Sequence, residues 1–108
     1  MTHRMAIATF LDDVEEHAVR TSKKFADDER TDDGAYVRYL RVNVNYLPNK
    51  ASSMGLEFCG RLRSEAMEIC KRAWSDALAK KGFRHVECVD CPNDLTAIAI
   101  RYERPWRA

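Results

Sequence analysis

The sequence predicts an α+β domain in which two helices cover one face of a small three-stranded sheet, in the chain order α-β-α-β-β. Three observations support this fold. Two long segments repeat apolar residues every three or four positions, one central segment alternates apolar and polar residues, and the C-terminal segment has two alternating runs joined by Pro92-Asn93-Asp94. The length of 108 residues fits a single domain around one core.

The first helix is predicted over residues 4–26. Its apolar positions, which recur at three- and four-residue steps, are Ile7, Phe10, Leu11, Val14, Ala18, Thr21 and Phe25. Acidic residues come before basic ones along this segment, the order that the helix dipole favours. Because an acidic run would be unfavourable at a helix C-terminus, we expect the helix to end near Ala26 and residues 27–34 to form a loop.

A strand is predicted from Tyr36 to Pro48, because the hydrophobic period there changes to two. Its apolar face carries Tyr36, Leu40, Val42, Val44 and Tyr46. Its other face carries Tyr39, Arg41, Asn43 and Asn45. This pattern indicates a strand with one buried and one solvent-facing side.

The second helix is predicted to begin after a cap at Ser52 or Ser53 and to stop at Gly82. Two glycines weaken its first part, so residues 54–60 are open to interpretation as a separate turn. A C-terminal β-hairpin follows, with Pro92, Asn93 and Asp94 as a three-residue loop. The predicted cross-strand pairs are Cys88 with Ile98, Val86 with Ile100 and Arg84 with Tyr102, which place the apolar residues on one face.

The stretch from Cys88 to Cys91 has the spacing of half a zinc site, with His85 nearby. A second pair of ligands with such spacing is missing from the sequence. The pattern therefore favours a hairpin, and the sequence predicts no metal and no other cofactor. It also contains no phosphate loop, nucleophile elbow or His-Glu-x-x-His motif, so we expect no catalytic residues and no enzyme activity.

Composition narrows the class of partner. The formal net charge is +1, which gives no general attraction to nucleic acid or membranes. We find no apolar segment of signal-peptide or membrane-spanning length, so we expect a cytoplasmic protein with no membrane partner. In that compartment its four cysteines are expected to stay reduced.

The sequence thus favours a non-catalytic protein-binding module, an adaptor or inhibitor of a larger protein machine. Small phage or mobile-element inhibitors of host systems belong to this class, but only size and the lack of catalytic motifs favour them here. The expected partner-binding residues are Tyr39, Arg41, Asn43, Asn45, His85, Arg101, Arg104 and Trp106. The expected acidic docking loop contains Asp27, Asp28, Glu29, Asp32 and Asp33.

Other interpretations stay open at this point. Trp106 either anchors a partner or caps the core. The exposed sheet face is also compatible with RNA or single-stranded nucleic acid, with Tyr39 stacking on a base and Arg41, His85 and Arg101 contacting phosphates. Unpaired edge strands further allow a homodimer.

Overall fold

Three helices and three strands form the computed structural model, which describes residues 2–29 and 36–104. The elements are α1 (His3–Asp28), β1 (Val37–Asn43), α2 (Tyr46–Ser53), α3 (Gly60–Lys80), β2 (Arg84–Cys91) and β3 (Asp94–Glu103). The α+β class and the C-terminal hairpin are confirmed, and α2 is a helix that the sequence did not predict. No helix in the described ranges has the length and apolar character needed to cross a membrane.

The strands form one antiparallel sheet in the order β1-β3-β2. The last strand in the chain is therefore the central one. It pairs with β1 in a single register, from Val37 opposite Glu103 to Asn43 opposite Ala97. Among the described residues, β1 and β2 are the edge strands.

The helices cover the inner face of the sheet, which carries Ile98, Ile100 and Tyr102 of β3. Because α1 and α3 are amphipathic, each directs a stripe of residues toward this face and toward the other helix. The main buried residues of the helices are Phe10, Val14 and Ala18 in α1, Leu47 and Ala51 in α2, and Ala66, Met67, Cys70, Trp74 and Leu78 in α3. They form one continuous hydrophobic core with the sheet.

The first helix is slightly longer than predicted, since it ends at Asp28 instead of near Ala26. Ion pairs compensate the two acidic residues at its C-terminus. Asp27 lies 2.8 Å from Lys81, and Asp28 lies 3.4 Å from Lys24 one turn earlier. These cations offset the unfavourable interaction between the acids and the helix dipole.

The prediction that the first strand extends to Pro48 was wrong, because β1 ends at Asn43 and α2 begins at Tyr46. A turn separates them, in which the backbone N–H of Asn45 donates to Oδ1 of Asn43 at 2.7 Å. Pro48 is tolerated because it lies in the first turn of α2, where backbone N–H groups have no helical acceptor. The separate turn at residues 54–60 is confirmed, since α3 begins at Gly60.

The end of α3 was predicted correctly. The helix runs to Lys80, and Gly82 has a φ of 87°, in the left-handed region that glycine adopts readily. Its N–H donates to the carbonyl of Ala79 at 3.0 Å. This conformation stops the helix and directs the chain into β2.

The predicted register of the hairpin was wrong by two residues at Cys88, which lies opposite Ile100 instead of Ile98. The register shifts between Arg84 and Glu87, so Arg84 lies opposite Glu103, one residue from the predicted Tyr102. The turn contains only Pro92 and Asn93, and the register then shifts between Asp90 and Cys91, leaving Leu95, Thr96 and Ala97 as extra residues on β3. Because side chains alternate with a period of two, a two-residue shift leaves the apolar residues on the inner face.

The side chain of Asp94 explains this irregularity. One of its oxygens, Oδ1, accepts the backbone N–H of Thr96 at 2.9 Å and the Thr96 hydroxyl at 2.8 Å. The carbonyl of Thr96 in turn accepts the N–H of Val44 at 2.7 Å, on the β1 side of β3. These local bonds hold Thr96 against the end of β1, while residues 95–97 leave the ladder with β2.

Candidate functional site

The outer face of the sheet, turned away from the helices, holds three of the eight residues that the sequence assigned to partner binding, namely Tyr39, Arg41 and Arg101. Two rows of side chains cross it, and they are Tyr39–Arg101–Glu87 and Arg41–Ala99–Val89. Tyr39, Ala99 and Val89 form an apolar diagonal across the two rows. The residues at its two ends are exposed, Tyr39 by 77% and Val89 by 43%. These six residues are called the outer face below.

A shallow depression lies at the centre of the outer face. Its volume is about 450 Å³, and its floor is formed by Ala99 between Tyr39 and Val89. Alanine leaves this space because its methyl group is much shorter than the side chains on either side. The depression is therefore apolar at the bottom and has the charged groups of Arg41, Arg101 and Glu87 at its rim.

Arg101 is held in place by its neighbours. Its Nη1 donates to Oε2 of Glu103 at 3.2 Å. This bond, together with one to Tyr39, raises the pKa of Arg101 above its usual value. The same carboxylate oxygen lies 2.6 Å from Nδ1 of His85. Desolvation opposes ionisation of Glu103, but the bonds from His85 and Arg101 outweigh it and lower the pKa of Glu103.

His85 reaches Glu103 because of a local backbone distortion. The pairing of β2 with β3 shifts between Arg84 and Glu87, and His85 there has a φ of 52°. This left-handed conformation costs a non-glycine residue on the order of 1 kcal/mol. The distortion places the ring beside Glu103 at the end of the outer face.

Arg41 is also ion-paired, to Asp94 at the other end of β3. The N–H and hydroxyl of Thr96, followed by Arg41 itself, lower the pKa of Asp94. The carboxylate therefore stays ionised at neutral pH and keeps Arg41 along the rim of the depression.

Two predicted partner-binding residues, Asn43 and Asn45, are not among the six that form the outer face. Asn45 is exposed but belongs to the turn before α2, so it is not on the sheet face. Asn43 lies at the end of β1, where its side chain accepts the N–H of Asn45. Its side-chain oxygen is therefore occupied by a local bond.

Glu29 and Arg104 were assigned to exposed binding segments, and this placement was wrong. Their side chains are only 6% and 4% exposed, and Arg104 Nη2 donates to Glu29 Oε1 at 2.8 Å. Glu29 also accepts the hydroxyl of Tyr102 at 3.0 Å and lies 3.5 Å from Arg38. Burial, followed by the bond to Glu29, raises the pKa of Tyr102 to about 12.

The other acidic residues divide into two groups. Asp27 and Asp28 belong to the last turn of α1, where each has a lysine partner. Asp32 and Asp33 of the predicted docking loop, and Trp106 of the tail, lie outside the described residues. The interpretation of Trp106 as anchor or cap is therefore unchanged.

The cysteines near the hairpin have different environments. Cys88 packs against the hydrophobic core, and burial raises its pKa to about 11. Cys91 lies at the end of β2 beside the turn, and both thiols are free. Among residues 2–29 and 36–104, no three His, Cys, Asp or Glu side chains form a group that could hold a metal ion.

Sequence reasoning missed Val89 and Ala99 as parts of the site. Alternation along β2 and β3 places both on the same side as Glu87 and Arg101, so the signal was present. They were overlooked because neither is polar. Glu103 was missed because nothing in the sequence indicates that His85 would turn toward it.

Comparison with known proteins gives no match. No protein-family model matches the chain, and no curated protein or solved structure matches it either. Functional inference therefore depends on the outer face itself.

Proposed function

We propose that this chain is a non-catalytic protein-binding module, an adaptor or inhibitor, that engages a partner protein through the outer face. The observation that supports this most strongly is the apolar depression over Ala99 between two exposed apolar side chains, Tyr39 and Val89. Exposed apolar surface of this kind, surrounded by polar groups, is typical of protein interaction sites.

The composition of the outer face fits a protein surface. Tyrosine contributes a large contact area with little loss of side-chain freedom, and it is enriched at interface hot spots together with arginine. Arg101 and Arg41 are already oriented by Glu103 and Asp94. A partner therefore encounters a largely preformed site, which lowers the entropic cost of binding.

The expected partner presents an aliphatic or aromatic side chain that fills the depression, with neutral polar groups around it. The outer face itself has no strong net charge, because Glu87 and the two bound carboxylates set three negative charges against its two arginines, a net charge of −1. Long-range electrostatic attraction is thus weak, and most of the affinity comes from burying the apolar centre.

The alternative of nucleic-acid binding receives less support. A phosphate-binding surface needs cations that are available to phosphates, and it gives an affinity that falls steeply with salt. Here Arg101 and His85 share Glu103, and Arg41 contacts Asp94. Exposed Tyr39 is suited to base stacking, but the neighbouring charges do not favour a polyanion.

The proposal is tested by capturing partners from host-cell extract with immobilised protein at moderate and high salt. Val89→Lys places a charge in the depression, and Tyr39→Ala removes its exposed wall. We expect both variants to lose a partner that wild-type protein retains at high salt, with the affinity lowered about 10-fold or more.

Met5→Lys is the matched control, because Met5 is an exposed apolar residue of α1 distant in sequence from the sheet. It should capture the same partner as wild type. The proposal fails if all three variants behave alike, or if the captured species is nucleic acid whose binding disappears at high salt.

A further inference from the structure

The two edges of the sheet differ in regularity. The pairing of β2 with β3 shifts at two places and contains a residue with positive φ, His85. Such distortions obstruct the addition of another strand. By contrast, β1 keeps one register over all of Val37–Asn43 and contains neither proline nor glycine.

The hydrogen bonds at both ends of β1 identify the backbone groups that point away from β3. The carbonyl of Tyr36 accepts the N–H of Arg104 at 2.9 Å, and Val44 donates to Thr96 at 2.7 Å. The backbone N–H and C=O groups of the even-numbered residues of β1 are thus hydrogen-bonded to β3, because the direction of these groups alternates along an antiparallel strand. The N–H and C=O groups of the odd-numbered residues, Val37, Tyr39, Arg41 and Asn43, point outward from the sheet edge.

We propose that β1 pairs antiparallel with β1 of a second copy of this chain, joining the two sheets into one of six strands. Pairing about a two-fold axis at Leu40 uses all seven residues, with Leu40 opposite its own counterpart. In this register the outward-pointing backbone groups of the odd-numbered residues face odd-numbered residues of the other copy. Each outward N–H and C=O group therefore has a hydrogen-bond partner. Tyr39 then lies opposite Arg41, twice by symmetry.

Side-chain chemistry favours this register over the one whose axis lies at residue 41. Tyr39 opposite Arg41 allows a cation–π contact on the outer face of each copy. Shifting the axis to residue 41 would instead place the two Arg41 side chains opposite each other and give like-charge repulsion. On the inner face, Leu40 meets Leu40, and both already pack against the core of their own copy.

The dimer is expected to be weak. Stable interfaces bury roughly 800 Å² per partner, and one seven-residue edge provides less than that. The pairing would place the two outer faces side by side on one continuous sheet. It goes beyond the proposed function, since partner capture through the depression does not require it.

Register-specific disulfide formation tests the pairing. Leu40→Cys and Val42→Cys are made separately in a Cys59→Ser, Cys91→Ser background, which removes the exposed thiol of Cys59 and the thiol of Cys91 at the end of β2. Opposed residues of a non-hydrogen-bonded pair have Cα atoms about 4.5 Å apart, within the range of a disulfide. The two Val42 positions would be about 13 Å apart, four residues along the strand.

We expect mild oxidation to give about 10-fold more linked dimer for Leu40→Cys than for Val42→Cys, which is the matched control on the same inner face. Circular dichroism melting verifies that both variants are folded. Equal linkage in the two variants, or none in either, would overturn the proposal.

Light scattering at increasing concentration gives an independent result. Wild-type mass should rise toward that of a dimer, and Tyr39→Pro should stay monomeric because it loses an outward N–H without losing a bond to β3. Tyr39→Ala keeps that N–H and should still associate, although more weakly. A wild-type protein that stays monomeric up to high micromolar concentration contradicts the pairing. Val89→Lys, which disrupts the partner site, should dimerise normally, so this variant distinguishes the test of the dimer from the test of the partner site.

Discussion

An ion pair lies at each end of the central strand β3. One pair is buried and the other is exposed to solvent. Beyond its C-terminal end, Arg104 binds Glu29 with side chains only 4% and 6% exposed. At its N-terminal end, Asp94 binds Arg41, whose side chain is 63% exposed. The same kind of contact is therefore part of the interior in one place and part of the surface in the other.

Burial decides what each pair contributes. Taking a charge out of water costs several kcal/mol, so removing one partner of a buried pair is far more damaging than removing one partner of an exposed pair. Glu29 has the additional task of accepting the Tyr102 hydroxyl. We infer that the Glu29 cluster stabilises the fold, whereas the Arg41 pair mainly orients a surface side chain.

The largest effect is expected for Glu29→Ala. The substitution removes the carboxylate that Arg104 and Tyr102 share in the interior, and it should lower the free energy of unfolding by about 3–5 kcal/mol. Urea denaturation measures this loss. Glu16→Ala is the control, since Glu16 is exposed on α1 and pairs with Arg20 at 3.7 Å. A loss at Glu29 no greater than that at Glu16 would remove the contrast between the two pairs.

An intermediate effect is expected at alkaline pH. Tyr102 has a folded-state pKa of about 12 against its usual value of 10.0. Its contribution to the free energy of unfolding is therefore complete below pH 10 and is lost as pH rises through 12. Ionised Tyr102 would face Glu29, and stability should fall by on the order of 1 kcal/mol by pH 11. Denaturation of wild type and Tyr102→Phe at several pH values measures it. Identical slopes for both proteins above pH 10 would exclude this cause.

The smallest effect is expected for the exposed pair. Arg41→Ala should change the free energy of unfolding by about 0.5 kcal/mol or less. Asp94→Ala should cost about 1 kcal/mol, because it also removes the two bonds from Thr96. A double-mutant cycle isolates the Arg41–Asp94 coupling. A coupling as large as the effect of Glu29→Ala would show that exposure does not distinguish the pairs.

Periodicity explains which parts of the fold the sequence could predict. The stripe of α1, the glycine stop of α3 and the alternation of β1 depend on neighbours within one element, and all three are confirmed over most of their length. The same alternation placed Tyr39, Arg41 and Arg101 correctly on one side of the sheet. Their role in binding stays a prediction.

Contacts between distant segments could not be obtained in this way. Glu29 and Arg104 are 75 residues apart, and each lies in a stretch whose composition is typical of a solvated surface. The hairpin register failed for a different reason, because two bonds from one aspartate side chain outweighed the simplest apolar match. Helix α2 was hidden by a proline that is harmless in a first helical turn.

The position of β3 has a consequence for how the molecule folds. In the part of the chain that the structure describes, neither β1 nor β2 has a strand to bond with until residues 94–103 are present, although β1 precedes them by about fifty residues. Helices α1 and α3 can pack earlier, since they contact each other directly. Closing the long loop between β1 and β3 raises the contact order, which slows folding relative to an all-helical protein of this length. Sheet formation is thus expected to limit the folding rate, and it leaves β1 exposed until the last strand arrives.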